Sequence, residues 1–383
     1  MRMYSLVDKA QWGGEVRFDA LLDDIRGRRE EFEAQRHISA DIIDAFKDIG
    51  VYRALVPKCY GGDEKSPAEF LKMVEAISAA DGSAGWVASF GMNPFYLAAL
   101  PRDTITRIWK DSPDVVFAGG IFPPHPAEKV DNGYRIKGRW KFASGCMGAT
   151  LCGVGIQPDE PGAAPRMAVL PPDQVRVDPT WDMVGMAATG SHDLVVDDAY
   201  VAEEWTFVRG ASATIDAPFV RYPSLAFAAQ VLAVTTLGLA REALDVMRAM
   251  AGGRKSVTGA PNLGEREYAQ IGLAKAEAQV RAARAFFYES TEAAWSAVEA
   301  GGEPSRDQIN LLRLSTTHLT RECAEAIRCV YQLSGMSGAE NGHPLSRILR
   351  DSMLCTQHAF MGEITFKNAG AIFFDHDPLP GYL

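Results

Sequence analysis

Between Gly133 and Ser144 the chain alternates without a break. Tyr134, Ile136, Gly138, Trp140 and Phe142 fall on one side, Arg135, Lys137, Arg139 and Lys141 on the other. Successive side chains of a strand point to opposite faces, so this run presents one aromatic and aliphatic face and one cationic face. A helix cannot use the pattern, because a 3.6-residue period scatters the aromatics around its axis. A half-buried sheet must therefore lie in the middle of the chain. Shorter β-rich runs follow at Met167–Leu170, Gln174–Val177 and Asp193–Val196, separated by turn signals such as Pro158, Gly162, Pro165, Pro171, Pro172 and Pro179. Residues 113–220 read as a small β domain, an antiparallel barrel or sandwich.

Both flanks read as helix. Ser66-Pro67-Ala68-Glu69 carries an N-cap serine, a proline at the first helical position and a glutamate placed to reach back to the cap. Phe70, Met73, Val74 and Ile77 follow on one face, and Asp81-Gly82 is expected to stop the helix. From 222 to 372 the period is helical again. Ile309, Leu312, Thr316, Leu319, Cys323 and Ile327 form the stripe of a long packed helix. Four long helices there imply a bundle, and Ala228, Ala229, Ala233, Gly238 and Ala240 allow close helix contact. The expected class is mostly α with a β domain: an N-terminal helical domain over 1–112, a middle β domain over 113–220 and a C-terminal four-helix bundle over 221–383.

Composition narrows the partners. The 383 residues are 47% hydrophobic and carry a net charge of −10 with no Lys/Arg block, which argues against nucleic acid. No uninterrupted apolar run approaches the ~20 residues of a membrane span, so no membrane partner is expected. The first residues lack a secretory pattern, and the six cysteines form no CxxC pair, which reads as reduced thiols in a cytoplasmic protein. GxGxxG, GxxxxGK[ST], GxSxG and HExxH are all missing. No metal site is expected. An enzyme built on this chain needs a cofactor held by a less obvious frame, or none.

Four stretches narrow the choice: Gly50–Pro57 with Tyr60-Gly61-Gly62; Asn132–Gly145; Trp181–Met186 followed by Thr189–Asp193; and Gln332–Gly338 leading to Arg347–Asp351. In this order and spacing they resemble the acyl-CoA dehydrogenase superfold, and more closely its flavin-dependent monooxygenase branch. That resemblance implies the oxygenase component of a two-component system, acting on a phenol- or indole-like small aromatic substrate through a flavin C4a-hydroperoxide. It implies reduced FMN or FAD, O2 as co-substrate, a separate NAD(P)H:flavin reductase and a homotetramer. It also implies that the flavin binds between the β domain and the bundle.

The dehydrogenase branch commonly places its carboxylate base nine residues after the arginine of the Arg-Asp motif. That position is Ala359, which cannot take a proton; one residue earlier stands His358, as in the monooxygenase branch. An imidazole titrating near ~6.5 can accept a phenolic or ring N–H proton. The plain alternative is a histidine satisfied within a core. By resemblance, Ser144 bonds the flavin ring near N5 or the C4 carbonyl, Trp140 and Phe142 wall the ring, and Thr189 and Ser191 reach flavin or phosphate oxygens. Arg254 reaches the flavin of a neighbouring subunit, and Gln332, Gly335 and Gly338 approach its phosphate or adenine end. The pair Gly335-Met336, where relatives carry two glycines, favours FMN or loosely held reduced FAD. Asn93 occupies the place of a second catalytic histidine in phenol hydroxylases. It can donate or accept a hydrogen bond but cannot act as a base, which admits an indole-like heteroaromatic or an amine. Two competing readings are an acyl-CoA dehydrogenase-like oxidoreductase with a relocated base, and a flavin-scaffold relic that acts through its bundle surface.

Overall fold

A computed structural model describes residues 14–252 and 261–383. The chain forms two compact units. One comprises the described residues up to Met73 with Trp86–Met183 and Ala187–Leu225; the other comprises Val74–Gly85, Val184–Met186 and the described residues from Ala226 to Leu383.

The helices, in chain order, begin with α1 (Glu15–Gly27), α2 (Arg29–Gln35), α3 (Ala40–Asp48), α4 (Pro67–Ala80), α5 (Gly82–Ala88), α6 (Pro94–Leu97) and α7 (Arg102–Trp109). The start of α4 bears out the capping box: Ser66 N–H donates to Glu69 Oε2 at 2.8 Å and Glu69 N–H to Ser66 Oγ at 3.3 Å. Asp81 does end α4, but it also opens α5 by accepting the Ala84 N–H at 2.9 Å.

The first unit is built on one seven-stranded sheet: β1 (Phe117–Val130), β2 (Gly133–Ala143), β3 (Leu151–Pro158), β4 (Arg166–Leu170), β5 (Arg176–Asp178), β6 (His192–Ala202) and β7 (Thr206–Val208), in the order β5-β6-β2-β1-β3-β4-β7. The expectation of a purely antiparallel barrel or sandwich needs correction, because β1 and β3 pair in parallel, with Ala118 opposite Cys152. A hairpin turn joins β1 to β2, whereas β3 returns to the far side of β1 after the 143–150 turn.

The alternation of β2 holds through Trp140. Tyr134, Ile136 and Trp140 are buried with Val154, Ile156, Leu194 and Val196 in one apolar cluster, and Trp140 donates its indole N–H to Gly155 O at 2.7 Å. The register with β6, already irregular between Ile136 and Gly138, then slips again. Trp140 lies opposite Leu194 and Ala143 opposite His192, three steps on β2 against two on β6. The extra residue is a bulge. Phe142 adopts φ +64° and leaves the core face, and Ala143 takes the inward position. The expectation that Trp140 and Phe142 share one face is thus corrected: the tryptophan is sealed in the core, and the phenylalanine is 59% exposed.

In the second unit, α8 (Ser224–Met250), α9 (Glu267–Glu299) and α10 (Arg306–Leu333) run 27, 33 and 28 residues; α11 (Pro344–Thr356) and α12 (Ile364–Phe373) are shorter and both pack along α10. The α10 stripe is as expected: Leu312, Thr316, Leu319, Cys323 and Ile327 are fully buried, Ile309 partly. By length and composition α8 is apolar enough to cross a membrane, yet most of it is buried inside the protein. Arg350 and Asp351 on α11 hold the 184–186 segment. Asp351 accepts the Met186 N–H, and Arg350 Nε donates to Val184 O at 3.0 Å. A Cβ on Gly185 would lie 2.3 Å from the Arg350 carbonyl oxygen, so only glycine passes there.

Candidate functional site

The β2 bulge leads directly into a clasp of two turns. Gly145, at φ +74°, donates its N–H to Thr189 O at 2.8 Å, and Cys146 Sγ–H donates to Gly190 O at 3.3 Å. Burial pushes the Cys146 thiol up to about 12, so this thiol is a packing group that stays protonated. The clasp brings three hydroxyls into a file. Ser144 Oγ and Ser191 Oγ are 2.6 Å apart, and Ser191 Oγ and Thr189 Oγ1 2.7 Å. Trp86 on α5 donates its indole N–H to Ser144 Oγ at 3.2 Å. Three hydroxyls hold three protons, and two links use two of them, so one proton is directed out of the file. When Thr189 donates to Ser191 and Ser191 to Ser144, that outward proton belongs to Ser144.

Beside this file stands an aromatic edge. Phe142, turned outward by its left-handed backbone, meets Trp181 edge to face at 6.3 Å between centroids. The Trp181 N–H donates to His192 Nδ1 at 3.1 Å. Burial and the neighbouring His37 lower the His192 pKa, which keeps its ring neutral and the Nδ1 lone pair available. Ser144, Thr189 and Ser191, each assigned to the cofactor by resemblance, stand next to one another. Trp181 and His192 lie in the third motif stretch without a role assigned there, and Trp86 and His37, which also support the cluster, carry no periodic or motif signal.

Asn93, which opens α6, is 1% exposed. Its Nδ2 donates to Val115 O at 2.9 Å, and its buried Oδ1 has no hydrogen-bond partner among the described residues. Behind it, Phe95 packs on Phe219 at 4.9 Å and on Tyr222 at 6.5 Å.

The remaining expected residues lie in the second unit, apart from Arg254, which falls outside the described residues. His358 follows α11 in extended conformation, and its Nδ1 accepts the Phe360 N–H at 3.3 Å. That contact selects the tautomer with the proton on Nε2, which makes the ring a donor at Nε2 before it is a base. Gln332 and Gly335 are exposed where α10 ends, and Gly338 is buried because Ser334 Oγ packs where a side chain would stand. Among the described residues, no group of three or more His, Cys, Asp or Glu is placed to hold a metal ion.

A family model described as "Acyl-CoA dehydrogenase, C-terminal domain" matches residues 230–363. The chain is 60% identical over 370 residues to the indole-3-acetate monooxygenase of Pseudomonas putida, covering 96% of this chain and 95% of that protein. It belongs to the flavin-dependent monooxygenases of acyl-CoA dehydrogenase fold. This monooxygenase is also 29% identical over 369 residues to the oxygenase component of an FADH(2)-dependent resorcinol hydroxylase from Rhizobium sp., with 90% of each chain covered. The crystal structure of 3-HSA hydroxylase from Rhodococcus sp. RHA1 superposes with a TM-score of 0.89 at 26% identity, covering 96% of this chain and 98% of that one. The monooxygenase is thus an oxygenase component that uses flavin. The first unit's residues fit that group. An isoalloxazine is a flat apolar ring with hydrogen-bond acceptors along one edge. The outward Phe142 with Trp181, set next to a hydroxyl file with one proton to give, offers matching surfaces.

Proposed function

We propose that the substrate is an indole carrying a short acid arm, indole-3-acetate or a close analogue, and that a separate NAD(P)H:flavin reductase supplies reduced FMN or FAD. The observation that carries this reading is the buried, unpartnered Oδ1 of Asn93. A buried acceptor left without a donor costs about 1–3 kcal/mol, which a ring N–H entering the site would recover. A phenol hydroxyl needs a base to become reactive, and a carboxamide is not one. An indole needs only its N–H held. The 60% identity to an indole-3-acetate monooxygenase supports the same choice.

Bound reduced flavin supplies the activation of O2. The chain's own residues do the rest. Ser144 directs its hydroxyl proton at the ring edge, with Ser191 and Thr189 setting the direction of the file. Phe142 and Trp181 cover the ring and exclude water. His358 orients a reacting group through Nε2–H. Arg254, Gln332, Gly335 and Gly338 are assigned to the remainder of the cofactor. Trp140 is left out of this set, since a side chain sealed in the sheet core reaches no ligand. The same proposal includes a homotetramer in the cytoplasm and the three-part division of the chain at 112 and 220.

The test is turnover with a flavin reductase, NADH, O2 and either FMN or FAD, offering indole-3-acetate, phenol and an acyl-CoA in parallel. Oxygenated indole product, formed only with O2 present, is expected. Hydroxylated phenol in its place defeats the substrate reading. Anaerobic bleaching of bound FAD by the thioester favours the dehydrogenase reading.

A further inference from the structure

The strand β7 ends at Val208, and Arg209 follows it. Its half-buried guanidinium lies over the Phe122 ring, 5.7 Å from the centroid, and beside Tyr96, where its charge counters part of the rise that burial imposes on that phenol. Among the described residues Arg209 has no carboxylate partner. Its neighbours differ: Arg107 is paired with Glu204, Lys129 with Glu203, Arg135 with Asp198 and Arg139 with Asp193. In a chain of net charge −10, this arginine hydrogen-bonds the Tyr96 hydroxyl but has no acid beside it, so its remaining N–H donors are those that an anion would take.

Tyr96 is one turn along α6 from Asn93, and residues so spaced are neighbours on a helix, ~5–6 Å apart. The chain after Arg209 is fastened to the same helix: the Thr214 N–H donates to Ala98 O at 2.8 Å, and Phe219 and Tyr222 pack on Phe95. The first unit therefore holds on one frame a buried acceptor without a donor at Asn93 and a cation without a carboxylate at Arg209. A bicyclic heteroaromatic with a ring N–H and a carboxylate on a one-carbon arm meets both at once.

We infer that Arg209 is the carboxylate-reading residue of this monooxygenase and selects indole acids over neutral indoles. The inference rests on the substrate reading given above. The test compares kcat/KM for indole-3-acetate with that for its uncharged isostere indole-3-acetamide, in wild type, Arg209→Gln and Arg209→Lys, with reductase and flavin saturating. Equilibrium binding of both ligands by calorimetry is the second readout. Losing one charge-assisted contact is expected to lower the acid-to-amide ratio about 10- to 100-fold in Arg209→Gln, mainly through KM. Arg209→Lys is expected to fall between the two and carries the test alone if the glutamine variant does not fold. A wild-type enzyme that favours the acid, with an unchanged ratio in both variants, overturns the assignment and leaves the substrate reading standing. A wild-type enzyme that does not favour the acid overturns both.

Discussion

Ser144 is held by what surrounds it more than by its place on a strand. Trp86 donates to its oxygen and Ser191 shares a proton with it, so the hydroxyl can orient only along the file or outward. Ser144→Ala removes the outward donor and leaves the clasp between Gly145 and Thr189 in place. The variant is expected to keep its melting temperature within a few degrees and to release several-fold more H2O2 per NADH consumed. Unaltered coupling between NADH use and product counts against the role. At Gly185 the constraint is steric. Gly185→Ala forces a methyl to 2.3 Å from the Arg350 carbonyl, and overpacking of this kind costs about 1–3 kcal/mol. Thermal unfolding should move down by several degrees; an unshifted transition shows that the 184–186 segment simply gives way.

Between elements, the clearest electrostatic contact joins α8 to α9. Glu277 faces Arg241, Arg248 and Arg281 at 3.0, 3.0 and 2.7 Å. Burial alone would raise its pKa, but hydrogen bonds from Arg241 and Arg281 and the charges around it outweigh that and lower it from 4.5 to about 2. The folded value lies below the unfolded one. The contact therefore stabilises fully above pH ~4.5 and is lost as pH falls toward 2. A depression of this size corresponds to about 3 kcal/mol at neutral pH. Glu277→Gln should unfold at a lower temperature than wild type at pH 7, and the gap should close between pH 4.5 and 2. A gap independent of pH would mean that packing, not charge, accounts for the loss.

Elements of this kind were legible from the sequence where one local rule decides them. The capping box at Ser66 and Glu69 and the α10 stripe follow from spacing alone. The parallel pairing of β1 with β3 did not, because period-2 alternation says which face is buried and nothing about which strand comes next. The reversal at Phe142 was illegible for a related reason: an inserted residue breaks register without altering the pattern of residue types. At the candidate site the motif hydroxyls were visible as Thr-Gly-Ser and Ser-Gly. Trp86, Tyr96 and Arg209 were not, since single residues on separate elements leave no repeat to read.

At the scale of the whole molecule, the C-terminal part of the second unit leaves Phe373, Phe374, Leu379 and Leu383 exposed from the end of α12 onward. Exposed large apolar side chains on one short segment point to a contact surface. A second copy of the chain is the occupant that the homotetramer proposal requires. Sedimentation equilibrium should then give four times the 41.6 kDa chain, and Phe374→Glu should shift the population to smaller species. A wild-type protein that sediments as a single chain refutes the assembly. A Phe374→Glu variant that keeps the tetramer mass refutes this surface as the contact and leaves the assembly standing.

The bulge in β2 has a further consequence. Strand faces are assigned by parity, so one residue more or less toggles every side chain beyond it. Deleting Lys141 would restore an equal count between Trp140 and the partner of His192, so that Phe142 would still face outward and Ala143 inward, now on ordinary extended backbone without the left-handed turn at Phe142. The bulged end of β2 is therefore separated from an ordinary strand end by the length of a single codon, and chains that share the sheet but differ by that one residue should be sorted by their register before they are sorted by their chemistry.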